Sequence, residues 1–300
     1  MPPPTPARLP TTPESLLPLV HAAMAGTPDE RLRTLMAGLA EHLHHFVLEH
    51  RVTEAEFETA VDFLIRIGQA TGPKTNEVIL AADLLGVSTL VAMLNNPAGA
   101  GDAEAVSHAA LLGPFWRKDA PHCAAGDCIA RGGTEGLPLE VSGTVFAADG
   151  HPLAGATVDV WHASPVGLYE NQDEHQPEMN LRGRFATDDA GRYRLRTVLP
   201  AGYPVPTNGP CGELLRAQRR SAMRPAHLHF MVSAAAHKVL ITQVFADDSE
   251  HLASDPVFGV TAPLVGHFER ITRDGQPAAT LRHDFHLLAG EPVFPHPPIP

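Results

Sequence analysis

Apolar residues recur every three or four positions through the first third of the chain and every second position through most of the rest. In TPDERLRTLMAGLAEHLHHFVLEH, which begins at Thr27, Leu32, Leu35, Met36, Leu39, Leu43, Phe46 and Val47 fall on one helical face. Thr27 as N-cap, Pro28 at the first helical position and Glu30 closing a capping box predict the start. TEAEFETAVDFLIRIGQATG repeats the device with Thr53 and Glu56, then Phe57, Val61, Leu64 and Ile65, and Gly72-Pro73 stops it. NEVILAADLLGVSTLVAMLNN continues with one or two more helices, broken at Gly86.

After residue 135 the helical period disappears. LEVSGTVFAADGHPLAGATVDVWHA is two alternating runs about Asp149-Gly150, and GRFATDDAGRYRLRTVLP repeats the pattern about Asp189-Ala190-Gly191. HLHFMVSAAAHKVLITQVF predicts a third hairpin and TRDGQPAATLRHDFHLL a fourth. Short strands at this spacing predict an antiparallel β-sandwich, and helices gathered at the N-terminus make the class α+β. The expected organisation is a flexible Pro-rich stretch over 1–25, a helical region over 26–110 and the sandwich over 111–300. LLGPFWRKDAP, residues 111–121, joins the last two; its aromatics must pack on something.

Composition changes this picture little. Three hundred residues with 44% hydrophobic and 19% charged content describe an ordinary globular chain of one large or two moderate domains. A formal charge of −12 argues against a nucleic acid or an anionic membrane as partner. There is no run of 18 apolar residues, hence no expected membrane span, and MPPPTPARLPTTPE lacks the layout of a signal peptide. Cys123, Cys128 and Cys211 make no disulfide framework, which places the chain in the reducing cytosol. Cys123 and Cys128 lack the second pair that a zinc site requires.

The candidate chemistry starts at RPAHLHF, residues 224–230. On a strand, His227 and His229 point to one face and Leu228 and Phe230 to the other. Imidazoles about 7 Å apart along a strand can converge on one metal, or they are two satisfied, partly solvated histidines. The chain's three tyrosines, Tyr169, Tyr193 and Tyr203, all precede this pair within 60 residues. Tyr193 belongs to a regular strand, whereas Tyr169 and Tyr203 occupy loops beyond strand ends, where sites are built. Two phenolates and two neutral imidazoles would bring a charge of −2, suited to Fe(III) better than to zinc or Fe(II). The competing reading is that both loop tyrosines pack on a core.

Taken in order, LLGPFW, WHASPVGLYENQ, NLRGRF, GRYRLRTVLPAGYPVPTNGPCGELL, RPAHLHFMVSA and TQVF resemble the intradiol ring-cleavage dioxygenases, and within them the branch acting on hydroxyquinol. The resemblance covers roughly residues 30–290. It implies a non-haem Fe(III) enzyme that opens a catecholic ring with O2 between the two hydroxyl-bearing carbons. It also implies a homodimer joined through the N-terminal helices, with a phospholipid at the dimer interface. Residue by residue, Tyr169, Tyr203, His227 and His229 match the iron ligands, Tyr203 being the one that leaves the metal when substrate binds. Arg224 and Gln243 match the active-site arginine and glutamine. A hairpin turning at Ala234 to His237 would set Gln243 opposite His229.

Substrate-pocket positions of the hydroxyquinol branch fall on Leu80, Asp83, Gly113, Pro114, Phe115, Val205, Pro206 and Val257. Asp83, on an otherwise apolar helix, would accept a hydrogen bond from a third ring hydroxyl, or is a surface carboxylate. Trp116, the SPVG loop and Cys211 depart from the family pattern and put the preferred ring substituent in doubt. The alternatives are the same chemistry on catechol or a chlorocatechol, giving cis,cis-muconate, and a non-enzymatic β-sandwich binding module.

Overall fold

A computed structural model describes residues 9–72, 75–96 and 106–298. They form two compact units, one running to Ile65 and one from Arg66 onward. Pro73 and the segment 97–105 lie outside the described residues, as does the expected tail over 1–8.

The first unit is helical. Residues 9–25, expected as flexible chain, hold a 3-10 turn at Pro13–Ser15 and helix α1 (Leu17–Met24). Helix α2 spans Glu30–His50, and its N-cap is Asp29, not Thr27: the Asp29 carboxylate accepts the Leu32 N–H at 2.9 Å. A carboxylate one residue before the first turn is the better anion for the exposed N–H groups. Helix α3 (Glu54–Gln69) opens as expected, with Thr53 and Glu56 bonding each other's backbone. The apolar stripe of α2 is largely uncovered; no residue of that helix is buried.

The second unit carries α4 (Glu77–Leu84), α5 (Val87–Asn95) and α6 (Pro210–Ala217) around two main sheets. Gly86 separates α4 from α5 as expected. The first sheet runs in the order β1 (His122–Cys123), β4 (Arg182–Ala186), β3 (Thr157–Trp161), β8 (His227–Ser233), β9 (Leu240–Ala246) and β10 (Val265–Gly266). The second has β11 (Phe268–Arg273), β12 (Gln276–Arg282), β2 (Pro138–Ala147) and β13 (Phe285–Leu287), with β5 (Arg192–Val198) on the other edge of β2. A short ribbon pairs β6 (Tyr203–Pro204) with β7 (Met223–Arg224).

The α+β class stands, but the sandwich is mixed rather than antiparallel. Strands β1 with β4, β9 with β10, and β2 with both β12 and β13 run parallel. The expected third and fourth hairpins are real, β8–β9 and β11–β12. The first two are not: β2 and β5 lie in one sheet, β3 and β4 in the other. A Gly turn reverses the chain equally well when the next strand crosses to the facing sheet.

Strand β8 holds the architecture together. Leu228, Phe230 and Val232 enter the core between the sheets, beside Val158, Val160, Val141, Leu195 and Phe285. Met231, on the other face, joins a separate cluster of Phe115, Trp116, Trp161, Tyr169 and Tyr203. The two histidines lie on that second face.

Candidate metal centre

His227 and His229 are both about 1% exposed, and their Nε2 atoms are 3.1 Å apart. His227 Nδ1 lies 2.7 Å from the Pro225 carbonyl, which can only accept, so Nδ1 carries the proton and Nε2 a lone pair. The His229 ring stacks on Trp161 at 4.9 Å and 11°. Gly113 presses on its other atoms: with φ of +75°, it leaves space that a Cβ would take at 3.0 Å from His229 Cε1. Burial holds both imidazoles far below the usual histidine range, with Arg224 adding to the effect on each and His227 to that on His229. Both are neutral, as a metal requires.

A loop and the short strand β6 bring phenols to the same point; Tyr203, expected in a loop, opens β6 instead, because the chain pairs there with β7. The turn Ser164–Pro165–Val166–Gly167 leads from β3 to Tyr169, and a Cβ at Gly167 would lie 3.2 Å from Tyr203 Cβ. Tyr203 is held by its ladder pairing with Arg224. The Tyr169 and Tyr203 oxygens are 3.2 Å apart, and Tyr203 Oη is 3.4 Å from His227 Nε2. Burial, then the neighbouring Tyr203, pushes the Tyr169 phenol well above its ordinary pKa. The phenolate therefore needs a cation.

These four donor atoms make a chain with no step longer than 3.4 Å. Ligands bound at about 2 Å to one metal lie roughly 3 Å from each other, so the set fits a single ion. Among the described residues no group of three or more His, Cys, Asp or Glu can hold a metal. A metal here depends on the phenols, and hard anionic oxygen beside imidazole suits iron in its higher oxidation state.

Arg224 borders the cluster. Its Nη1 lies 3.3 Å from His227 Nε2, and its Nη2 donates to Gln243 Oε1 at 2.9 Å. Nε and Nη2 donate to the two Asp255 oxygens at 3.1 and 3.3 Å. Burial opposes the charge of Arg224, but Asp255, together with Tyr203 and Tyr169, more than offsets this and keeps it protonated. Gln243 stands opposite His229 in the β8–β9 register, as expected, and donates to the Leu111 carbonyl. Asp255 escaped the sequence reading: DPVFGV drew notice for Val257 alone, and nothing local marks an aspartate whose partner is 31 residues away.

The expected pocket residues divide. Phe115 stacks on Tyr169 at 4.4 Å, and Gly113 abuts His229. Asp83 on α4 is half-buried, bonded to the Ser88 side chain and in electrostatic reach of Arg224 and Asp255; burial raises its pKa. Leu80, Val205 and Val257 are buried and Pro206 half-buried, while Pro114 is turned to solvent. Two arginines that the sequence reading passed over, Arg182 and Arg117, share the Glu170 carboxylate next to Tyr169.

Against known proteins, residues 111–289 match a family described as dioxygenase, and residues 29–103 one described as catechol dioxygenase N terminus. A 6-chlorohydroxyquinol 1,2-dioxygenase of Cupriavidus pinatubonensis is 41% identical over 269 residues, covering 90% of this chain and 94% of the relative. A hydroxyquinol 1,2-dioxygenase of a Rhizobium species is 42% identical, with 87% of each covered. The solved hydroxyquinol 1,2-dioxygenase of Pseudomonas putida superposes with a TM-score of 0.86 at 35% identity, over 92% of this chain and 98% of that one.

Proposed function

From a chain that belongs to the intradiol ring-cleavage dioxygenases, and so is a ring-cleaving enzyme, we propose that the substrate is hydroxyquinol, 1,2,4-trihydroxybenzene. One O2 is consumed and both its atoms enter the product, 3-hydroxy-cis,cis-muconate, which tautomerises to maleylacetate. The observation that carries this reading is the convergence of Tyr169, Tyr203, His227 and His229 beside a fixed Arg224, with Asp83 in electrostatic reach of it.

The family generally depends on non-haem iron. Tyr169, Tyr203, His227 and His229 would hold it here as Fe(III). When bound, it would supply the Lewis-acid and redox chemistry that opens an adjacent ring diol to O2. The remaining work falls to side chains. Tyr203 Oη, between Tyr169 Oη and His227 Nε2 in the donor set, is placed to take a proton from a ring hydroxyl. Arg224, buried and permanently charged, stabilises negative charge on the ring, and Gln243 and Asp255 fix its orientation. Asp83 accepts the hydrogen bond of the third hydroxyl. Leu80, Phe115, Val205, Pro206 and Val257, with the Gly113-Pro114 bend, shape an apolar wall that keeps water away.

Assembly follows from the helices. The uncovered stripe of α2 supports a homodimer through the N-terminal helices, and its apolar length suits a phospholipid between protomers. Among the described residues no single helix is long and apolar enough to cross a membrane. The three free cysteines fit the expected cytosolic location.

The test is a visible spectrum of the iron-loaded protein before and after anaerobic hydroxyquinol, followed by kcat/KM on hydroxyquinol and catechol. A charge-transfer band that moves to longer wavelength with substrate, and a preference for hydroxyquinol, is the expected result. Asp83→Leu should cut that preference by roughly 10²-fold or more, because the third hydroxyl loses its acceptor. A colourless protein after reconstitution returns the chain to a binding role. Equal turnover of both diols makes it a catechol-type enzyme.

A further inference from the structure

Behind the proposed metal ligands lies a buried cation that their coordination does not use. Arg182 opens β4 opposite Trp161 of β3, and Trp161 stands opposite His229 of β8. The three side chains therefore form one row across three strands, on the face that carries the site. Arg182 is 1% exposed. Its Nε donates to Glu170 Oε2 at 2.8 Å, and its guanidinium carbon lies over the Tyr169 ring, 5.8 Å from the centroid. Nη1 and Nη2 have no hydrogen-bond partner among the described protein atoms.

Arg182 shares its carboxylate with a second arginine. Glu170, the residue after Tyr169, is one buried carboxylate shared by two guanidinium groups, since Arg117 Nη1 reaches its Oε1 at 3.1 Å. Glu178, which also pairs with Arg117, has a side chain 76% exposed and is screened by water. Arg182 lies against the phenol ring in this interior and acts on Tyr169 directly. The backbone is bent to put it there: Met179 and Leu181, just before Arg182, have φ of 58° and 57°, and Leu181 is buried in that left-handed conformation. Arg131 then bonds the carbonyls of Met179 and Arg182.

We propose that Arg182 is a positioning residue for Tyr169: anchored by Glu170, it fixes the ring from behind and places a buried positive charge that sets how strongly the Tyr169 oxygen donates to the metal. The proposal rests on Tyr169 being an iron ligand. A cation near a phenolate lowers the energy of its electrons, so charge transfer from that oxygen costs more energy with Arg182 than without it.

The experiment compares the visible band of iron-loaded wild type, Arg182→Lys, Arg182→Met and the charge-balanced pair Glu170→Gln/Arg182→Met, each with its iron content and apo-protein melting point. Arg182→Met should move the band to longer wavelength by on the order of tens of nanometres, with iron still bound. Arg182→Lys should keep it near the wild-type position. The double variant removes the carboxylate with the cation, so its band should shift less than that of Arg182→Met, with a smaller loss of melting temperature; a double variant shifted as far as Arg182→Met overturns the role of the charge. An unmoved band in iron-bound Arg182→Met overturns the proposal, as does a Lys variant shifted as far as Met. Wild type is read first: if it binds iron without such a band, the ligand role of Tyr169 fails, not that of Arg182.

Discussion

Helix α2 and strand β8 are both strongly patterned, yet only one of them states what its pattern is for. Helix α2 places large apolar side chains on one stripe and buries none of its 21 residues; Leu39, Leu43 and Phe46 are each more than half exposed. Strand β8 buries six of seven, with Phe230 and its neighbours on one face and His227 and His229 on the other. A helical stripe says that something covers it, not what. A strand two-sided in chemistry names both surroundings, because imidazoles do not enter a fully buried face without a purpose. The sharpest experiments pull the two faces of β8 apart, and then ask what covers α2.

The largest effects are expected on β8. Phe230 is fully buried against Phe285 at 5.0 Å, so Phe230→Ala should cost about 3–5 kcal/mol in chemical denaturation. His229→Ala, one residue away, should abolish iron binding and the visible band while costing the apo-protein clearly less stability than Phe230→Ala, since what it loses is the stack on Trp161 and not the core between the sheets. Equal loss of stability in both would mean that the faces are not independent.

The second test is on α2. Leu39→Glu with Phe46→Glu puts charges on the stripe. Each side chain is about half exposed, so each forfeits about 1 kcal/mol of interface burial per protomer, and four in a dimer weaken association by about 10³-fold. Light scattering should report half the wild-type mass, with the melting point of dilute protein little changed. A variant that stays dimeric would show that the stripe is covered by something other than a second copy.

These two regions also mark what the sequence carries. The β8 histidines, the opposition of Gln243 to His229 and the Thr53 cap are local facts, fixed by alternation, hairpin register and hydrogen-bond chemistry within a few residues. What was not legible is non-local. The parallel partners of β2 come from residues 276–287, about 140 positions on, and no turn announces them. The first two expected hairpins failed for the same reason, since their turns say nothing of which sheet the next strand joins. Asp255 and Arg182, each decisive for a charge beside the site, are ordinary residues in ordinary patterns until the fold sets them against Arg224 and Glu170. The tyrosine donors became legible through resemblance, not periodicity.

The smallest effect concerns the cost of building a polar face at all. Asp159 lies on β3 opposite Met231, 6% exposed, and accepts the Trp116 Nε1–H at 3.1 Å. Burial raises its pKa from 3.8 to about 6, only partly countered by Trp116 and the arginines Arg184 and Arg182. For a carboxyl raised in the folded state, the native protein binds the extra proton between those values. Its charge therefore costs stability as pH rises through that window, fully above pH 6, and by no more than about 3 kcal/mol for roughly two pK units. His162, buried between the Ala163 carbonyl and the Thr197 hydroxyl, works the other way: burial lowers it to about 4, so its contribution is lost as pH falls from 6.5 towards 4. In the wild type the two slopes nearly cancel between pH 4 and 6. Asp159→Asn keeps an acceptor for Trp116 and removes one slope. The variant should be the more stable protein at pH 8 and the gap should close towards pH 4; the difference between the two curves isolates Asp159, because His162, His227 and His229, all lowered by burial, contribute to both alike. If Asp159→Asn is instead the less stable protein at pH 8, the carboxylate's pairing with Trp116 and the two arginines outweighs its burial, and the polar face of the sheet stabilises the fold as well as serving the site.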